Sequence, residues 1–228
     1  MIPIGDDIPN RTFPFVTIAL IVINVAVFLY ELTLTGGAQA FIGTHGVIPK
    51  DVMAALTRLD LNGLSDNFMS SLFIHSGWLH LAGNMLYLWI FGNNVEDKLG
   101  HIKYLGFYAV AGVAAMSVHV LSMPGSADPA IGASGAIAGV LGAYLVMFPR
   151  ARVFIVIPLF VFFPVVAIRA VYVLSFWFLQ QLISGAGAIV EPASAAGVAW
   201  WAHIGGFGAG MIMGRFMVRE GKQKVRWS

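Results

Sequence analysis

Cysteine is absent from the 228 residues, which excludes a disulfide framework, a thiolate metal site and a thiol nucleophile. Charge is also scarce. Asp, Glu, Lys and Arg make up 11% of the chain, under half of the roughly 25% found in an ordinary soluble domain. Histidine is therefore the one strong base on hand near neutral pH. The sequence offers no metal-ligating set and no cofactor motif. Its basic residues are scattered over short connections, so nucleic acid is not an expected partner. An internal repeat is missing too, and only one hydrophobic segment is broken by prolines, which argues against the matched half-repeats of a transporter.

What is present is hydrophobic. Apolar residues form 58% of the chain and the mean hydropathy is +0.82, values that describe an all-α polytopic membrane protein. A bilayer needs about 20 apolar residues per helical crossing. Six segments meet that need, at about 13–34, 73–95, 102–121, 131–148, 170–188 and 198–218. Residues 1–12 form a short leader, and 219–228 a basic tail. The leader carries Asp6, Asp7 and Arg11, and the apolar core after it is too long for a signal peptide, so no cleavage is expected at Ala38-Gln39-Ala40. Between the first two spans, from Gly36 to about Phe68, short amphipathic helices resting at the interface fit the pattern.

Residues 153–190 are interrupted by Pro158 and Pro164 and contain Arg169. We read 153–166 as an interfacial or re-entrant piece, the alternative being a kinked helix with Arg169 paired inside. With the N-terminus inside, Arg11, Lys98, Lys103, Arg150, Arg152, Arg169 and the basic tail all lie inside, and only Lys50 and Arg58 outside. The excess of inside positive charge makes both termini cytoplasmic, in the cell (inner) membrane.

That parity places polar residues in one layer. Spans two, four and six all enter from the outside, and His80, Ser134 and His203 each stand a few residues past the outer start of their span. A rise of 1.5 Å per residue sets all three roughly 5 to 12 Å below the outer surface. Asn84 lies one helical turn after His80 on the same face. Gly135 and Gly139, Ala138 and Gly142, and Gly206, Gly210 and Gly214 repeat at intervals of four, a spacing that lets helix backbones approach closely. Packing through these faces would bring Ser134 and His203 together. A serine hydroxyl becomes a nucleophile when a neighbouring base takes its proton, and His203 is the candidate base. His80, Asn84 and the Ser134 amide at a helix N-terminus are candidate donors to a developing oxyanion. No acidic residue lies at matching depth, so a dyad is expected. His75, five before His80, points elsewhere and is a candidate support for the cavity wall.

His80-Leu-Ala-Gly-Asn84, Gly132-Ala-Ser134-Gly135 and Ala202-His203-Ile-Gly-Gly206, in this order, resemble the motifs of the rhomboid family of intramembrane serine proteases. The likeness covers about Phe68 to Gly214 and extends to the connection Gly92-Asn-Asn-Val95-Glu96-Asp97. It implies a six-helix bundle with an external interfacial loop and a water-filled cavity. In that cavity Ser134 attacks, His203 acts as base, and His80, Asn84 and Gly132 belong to the oxyanion hole. Implied partners are transmembrane protein substrates and membrane lipid. Two departures stand out. Asp66-Asn67 replaces a Trp-Arg pair that anchors the loop in some members, and Ala138 stands where some carry a tyrosine under the catalytic histidine. The rival reading is a catalytically silent member of the same fold that binds transmembrane helices.

Overall fold

The structure, a computed structural model, describes residues 2–34, 37–60, 66–191 and 197–220. It is mostly helical. A strand β1 (Ile2–Asp6) precedes α1 (Phe15–Glu31), three short helices α2 (Gly37–His45), α3 (Pro49–Arg58) and α4 (Asp66–Ser70), then α5 (Trp78–Tyr87). After these come α6 (Asn93–Leu99), α7 (His101–Ser122), α8 (Ser134–Met147), strands β2 (Arg152–Val156) and β3 (Val165–Arg169), α9 (Ala170–Val190) and α10 (Trp200–Glu220). Among the described residues, α7 and α9 are long and apolar enough to cross a membrane, while α1 and α8 are shorter apolar helices. Residues 221–228 of the basic tail lie outside the described residues.

Helix α8 is the centre of the molecule. Every residue from Gly135 to Tyr144 is buried, as expected of a helix that is apolar all round. Its close neighbours are dictated by small residues. A methyl group at Gly206 or Gly210 of α10 would run into the carbonyl oxygen of Gly135 or Gly139, and one at Gly142 into that of Phe207. On the α7 side, an added methyl at Gly135 would stand 2.7 Å from the Ala115 side chain, and one at Gly139 2.5 Å from Ala111. Backbone thus touches backbone along the α8–α10 seam.

The structure corrects or refines the sequence reading in three places. Within the segment 73–95 helix begins only at Trp78, and it then runs without interruption to Leu99, α5 passing through a π-helical turn at Leu88–Gly92 into α6. The chain is not wholly helical. β1, β2 and β3 form an antiparallel sheet in that order, pairing Ile2 with Val156 and Arg152 with Arg169. Finally, the stretch read as an interfacial or re-entrant piece takes the form of the β2–β3 hairpin, and Arg169 is the exposed residue that caps α9, which goes against the alternative of a kinked helix with Arg169 paired inside. The cause is local. Val153-Phe154-Ile155-Val156 is β-branched and aromatic, it alternates between buried and more open positions, and Pro158 and Pro164 confine the turn. Pro3 is admitted to β1 because that strand lies at the sheet edge.

Two carboxylates fasten the end of the bundle that carries the sheet. Asp6 accepts hydrogen bonds from Tyr144 Oη at 2.7 Å and Asn94 Nδ2 at 2.6 Å, and burial raises its pKa against the Tyr144 bond that lowers it. Glu96, fully buried, accepts from the amides of Val16 at 2.9 Å and Thr17 at 2.7 Å, from Thr17 Oγ1 at 2.7 Å, and from His101 Nδ1 at 2.6 Å. It therefore satisfies first-turn amides of α1 that have no partner within their own helix. Burial pushes the Glu96 carboxyl up, but the bonds from Thr17, Val16 and His101 together outweigh it and hold it below 4.5. A carboxyl whose folded pKa is depressed stabilises the fold at pH above its unfolded value, and this contribution is lost as pH falls through the lower folded value. Glu96→Ala is expected to destabilise by roughly 3 kcal/mol. Thermal unfolding from neutral to acid pH should show the gap between wild type and variant narrowing on the acid side.

The chain before the serine is held by the segment ahead of α5. Val47 and Ala130 exchange backbone hydrogen bonds at 3.0 and 2.8 Å, and the Gly132 amide donates to Ser71 O at 2.8 Å. Where the Trp-Arg pair is replaced, Asn67 Nδ2 donates to Gly46 O at 3.2 Å and Thr44 O at 3.3 Å. A short amide thus fastens α4 to the end of α2.

Candidate functional site

Ser134 is the first residue of α8. The turn that delivers it needs Gly132, whose φ of +106° suits glycine alone. His203 lies in the first turn of α10, and the glycine seam described above draws the two helices together immediately beside it. Ser134 Oγ and His203 Nε2 are 2.8 Å apart.

The other side of the imidazole has a partner that the sequence reading missed. His203 Nδ1 is 2.8 Å from Gln181 Oε1, and Gln181, on α9, is 5% exposed. Trp177, one turn earlier, has its ring 5.9 Å from the imidazole, and Trp200 approaches edge-on at 6.1 Å. These rings stand around His203 where no tyrosine occupies position 138. A signal for Gln181 was available: Gln180-Gln181 interrupts an apolar helix, and a polar side chain at membrane depth is costly without a partner.

On the facing wall, α5 presents His80 and Asn84. The Ser76 amide, a donor only, lies 3.4 Å from His80 Nδ1, with Ser76 Oγ at 3.1 Å. Nδ1 therefore accepts and Nε2 carries the hydrogen. Asn84, 7% exposed, is held by His75, which the structure brings to the site after all. His75 Nδ1 donates to Phe73 O at 3.2 Å, leaving Nε2 to accept from Asn84 Nδ2 at 2.9 Å. The rings of His75 and His80 meet edge to face at 5.1 Å. Gly132 closes the group: a methyl there would lie 2.8 Å from His80 Nε2 and 3.6 Å from Asn84 Nδ2.

Ser134, His203, His80 and Asn84 all line one cavity of about 470 Å³, completed by Tyr87, Ile131, Ile137, Ala138, Leu141 and Trp177 among others. An imidazole nitrogen within hydrogen-bond reach of a hydroxyl can take its proton as the oxygen attacks a carbonyl. Ring and amide N–H groups on the facing wall can receive negative charge. His45, His101 and His119 do not line this cavity. His45 Nδ1 meets Phe41 O, and His101 meets Glu96. Among the described residues no cluster of three or more His, Asp or Glu could hold a metal ion.

Known proteins are similar to this chain in sequence. Rhomboid protein 1, mitochondrial, of Saccharomyces cerevisiae is 33% identical over 141 residues, 59% of this chain and 37% of that protein. The human Presenilin-associated rhomboid-like protein, mitochondrial, is 33% identical over 111 residues, 47% of this chain and 29% of its own. Rhomboid-like protein 11, chloroplastic, of Arabidopsis thaliana is 39% identical over 72 residues, 32% of this chain and 25% of its own. The matched region thus spans under two fifths of the length of these relatives. Residues 65–220 match the Rhomboid domain, a stretch that runs from the start of α4 to the end of α10 and takes in the whole cavity wall. With that match covering most of its length, the chain belongs to the rhomboid family.

Proposed function

We propose that this membrane-embedded protein is a serine endopeptidase that cuts transmembrane proteins in or beside their membrane-spanning segments. The observation that carries the reading is the 2.8 Å contact between Ser134 Oγ and His203 Nε2 within a cavity enclosed by apolar helices. The proposed topology has six spans with both termini cytoplasmic, in the cell membrane. Helix α8, with 14 residues, is about 21 Å long, short of the roughly 30 Å hydrocarbon core. If its C-terminal end reaches the inner interface, Ser134 lies below the outer one, where a substrate helix must unwind to reach it.

In the reaction, Ser134 Oγ attacks the scissile carbonyl carbon while His203 Nε2 takes the hydroxyl proton. The carbonyl oxygen becomes an anion and accepts hydrogen bonds from His80 Nε2–H, Asn84 Nδ2–H and the Ser134 amide. Gly132 lets these donors close on that oxygen. Collapse breaks the C–N bond, and the proton on His203 passes to the leaving amine. Water, activated by the same imidazole, then releases the acyl group from Ser134. Removing one oxyanion donor by Asn84→Ala is expected to lower kcat about 100- to 1,000-fold with little change in KM, as read from cleavage kinetics in liposomes.

The test of the whole reading is incubation of the reconstituted protein with a fluorophosphonate probe and, separately, with single-span membrane proteins. Labelling and cleavage that both vanish in folded Ser134→Ala support it. If several substrates stay intact and the probe does not react, the protein is a non-catalytic binder of transmembrane helices.

A further inference from the structure

The imidazole of His203 is held from behind by a residue on a third helix, and the hydrogen bonds determine its tautomer. Gln181 Nε2 is 3.3 Å from the Trp177 carbonyl oxygen one turn back in α9. A carbonyl can only accept, so the amide nitrogen faces Trp177 and the amide oxygen faces His203. That oxygen, 2.8 Å from Nδ1, must in turn receive a hydrogen, so Nδ1 is protonated. Nε2 is left with its lone pair directed at Ser134 Oγ. Each polar atom has one compatible role, and the chain Trp177 O, Gln181, His203, Ser134 runs in a single direction.

The placement of Gln181 is built into α9. Gly185, one turn further on the same buried face, accepts a hydrogen bond from Trp201 Nε1 at 3.1 Å. A methyl there would stand 3.0 Å from Ile204 Cδ1. α9 is thereby drawn against α10 at the level of His203.

We propose that Gln181 is the positioning residue of this site: it fixes the His203 tautomer and ring orientation, completing a Ser134–His203–Gln181 relay in which the third member is a neutral amide. The proposal rests on the protease reading above. A carboxylate in this apolar helix would bring a buried charge; an amide supplies the acceptor oxygen without one.

The experiment compares wild type, Gln181→Met and Gln181→Glu in liposomes by kcat, KM, fluorophosphonate labelling rate and thermal unfolding. Met keeps the volume and apolar fit but lacks the acceptor oxygen. Protonated Glu reproduces both bonds, donating to Trp177 O and accepting from Nδ1. Loss of the tautomer lock is expected to lower kcat and the labelling rate of the Met variant about 10- to 100-fold at unchanged KM. The Glu variant should keep more activity than Met even where its thermal stability is lower. A merely structural role predicts the reverse order, because apolar Met fits a buried position better than Glu. Should Gln181→Met fail to fold, Gln181→Asn, whose shorter amide cannot reach Nδ1, must show the same loss. Wild-type kcat in the Met variant, or Glu below Met, overturns the positioning role alone. Wild type that neither cleaves nor labels overturns the protease reading instead.

Discussion

Replacing Ser134 by alanine is expected to lower kcat by about 10,000-fold or more, His203→Ala by a similar factor, and the double variant should be no slower than the worse single one. Residues that act as a unit are non-additive: once the hydroxyl is gone the imidazole has no proton to take, and once the imidazole is gone the hydroxyl remains a weak nucleophile. The factor is large because nothing nearby substitutes. His80 uses Nδ1 to accept from Ser76, and among the described residues no carboxylate lines the cavity. Ser134→Ala should leave the fold intact, since the Oγ contact is made at the cavity wall and not in the α8–α10 seam. Single-turnover cleavage in liposomes, read beside thermal unfolding, checks both statements. Strict additivity of the two losses would mean that Ser134 and His203 do not work on the same proton.

The second large effect is expected from Gly210→Leu. Any side chain at Gly210 meets the Gly139 backbone, including its Cα at 2.6 Å and carbonyl carbon at 2.5 Å, and backbone in the middle of α8 has nowhere to go. The helices must separate along a seam that keeps van der Waals contact only because both partners lack Cβ atoms. A destabilisation of at least about 3 kcal/mol is expected, a large share of the 5 to 15 kcal/mol typical of a folded domain. Since His203 and Ser134 hang from the same two helices, activity should fall even in molecules that remain folded. Gly208→Leu is the matched control. Gly208 is on the same helix with nothing within 4 Å of an added methyl, so thermal unfolding should barely move. Equal losses at the two positions would refute the argument.

Much of this was legible in the sequence because membrane depth compresses the possibilities. An apolar run leaves a polar residue such as His80 or Asn84 only the protein interior, and spacing by four assigns Gly135, Gly139, Gly206 and Gly210 to facing seams. The sheet was less legible: β2 is as hydrophobic as a spanning helix, and its partner strand comes from residues 2–6, a polar leader containing Pro3 and Gly5. Pairing at that sequence distance leaves no local pattern. The π-helical turn between α5 and α6 was hidden for another reason, since Leu88-Trp89-Ile90-Phe91 carries no proline or other helix breaker. Gln181 was overlooked because a neutral amide is an unaccustomed third partner, although its cost in an apolar helix was visible.

The pairing of Ile2 with Val156 also orders events in time. During synthesis the first strand is made before any of the helices, yet its partner follows α8. Residues 2–6 therefore wait unpaired while α1, α7 and the serine helix are laid down, and only then can Tyr144 meet Asp6 and the ladder close. The sheet is a late clasp, able to close only after α8 has been synthesised. A chain stalled before residue 152 would hold Ser134 without the fastening that ties the beginning of the chain to it.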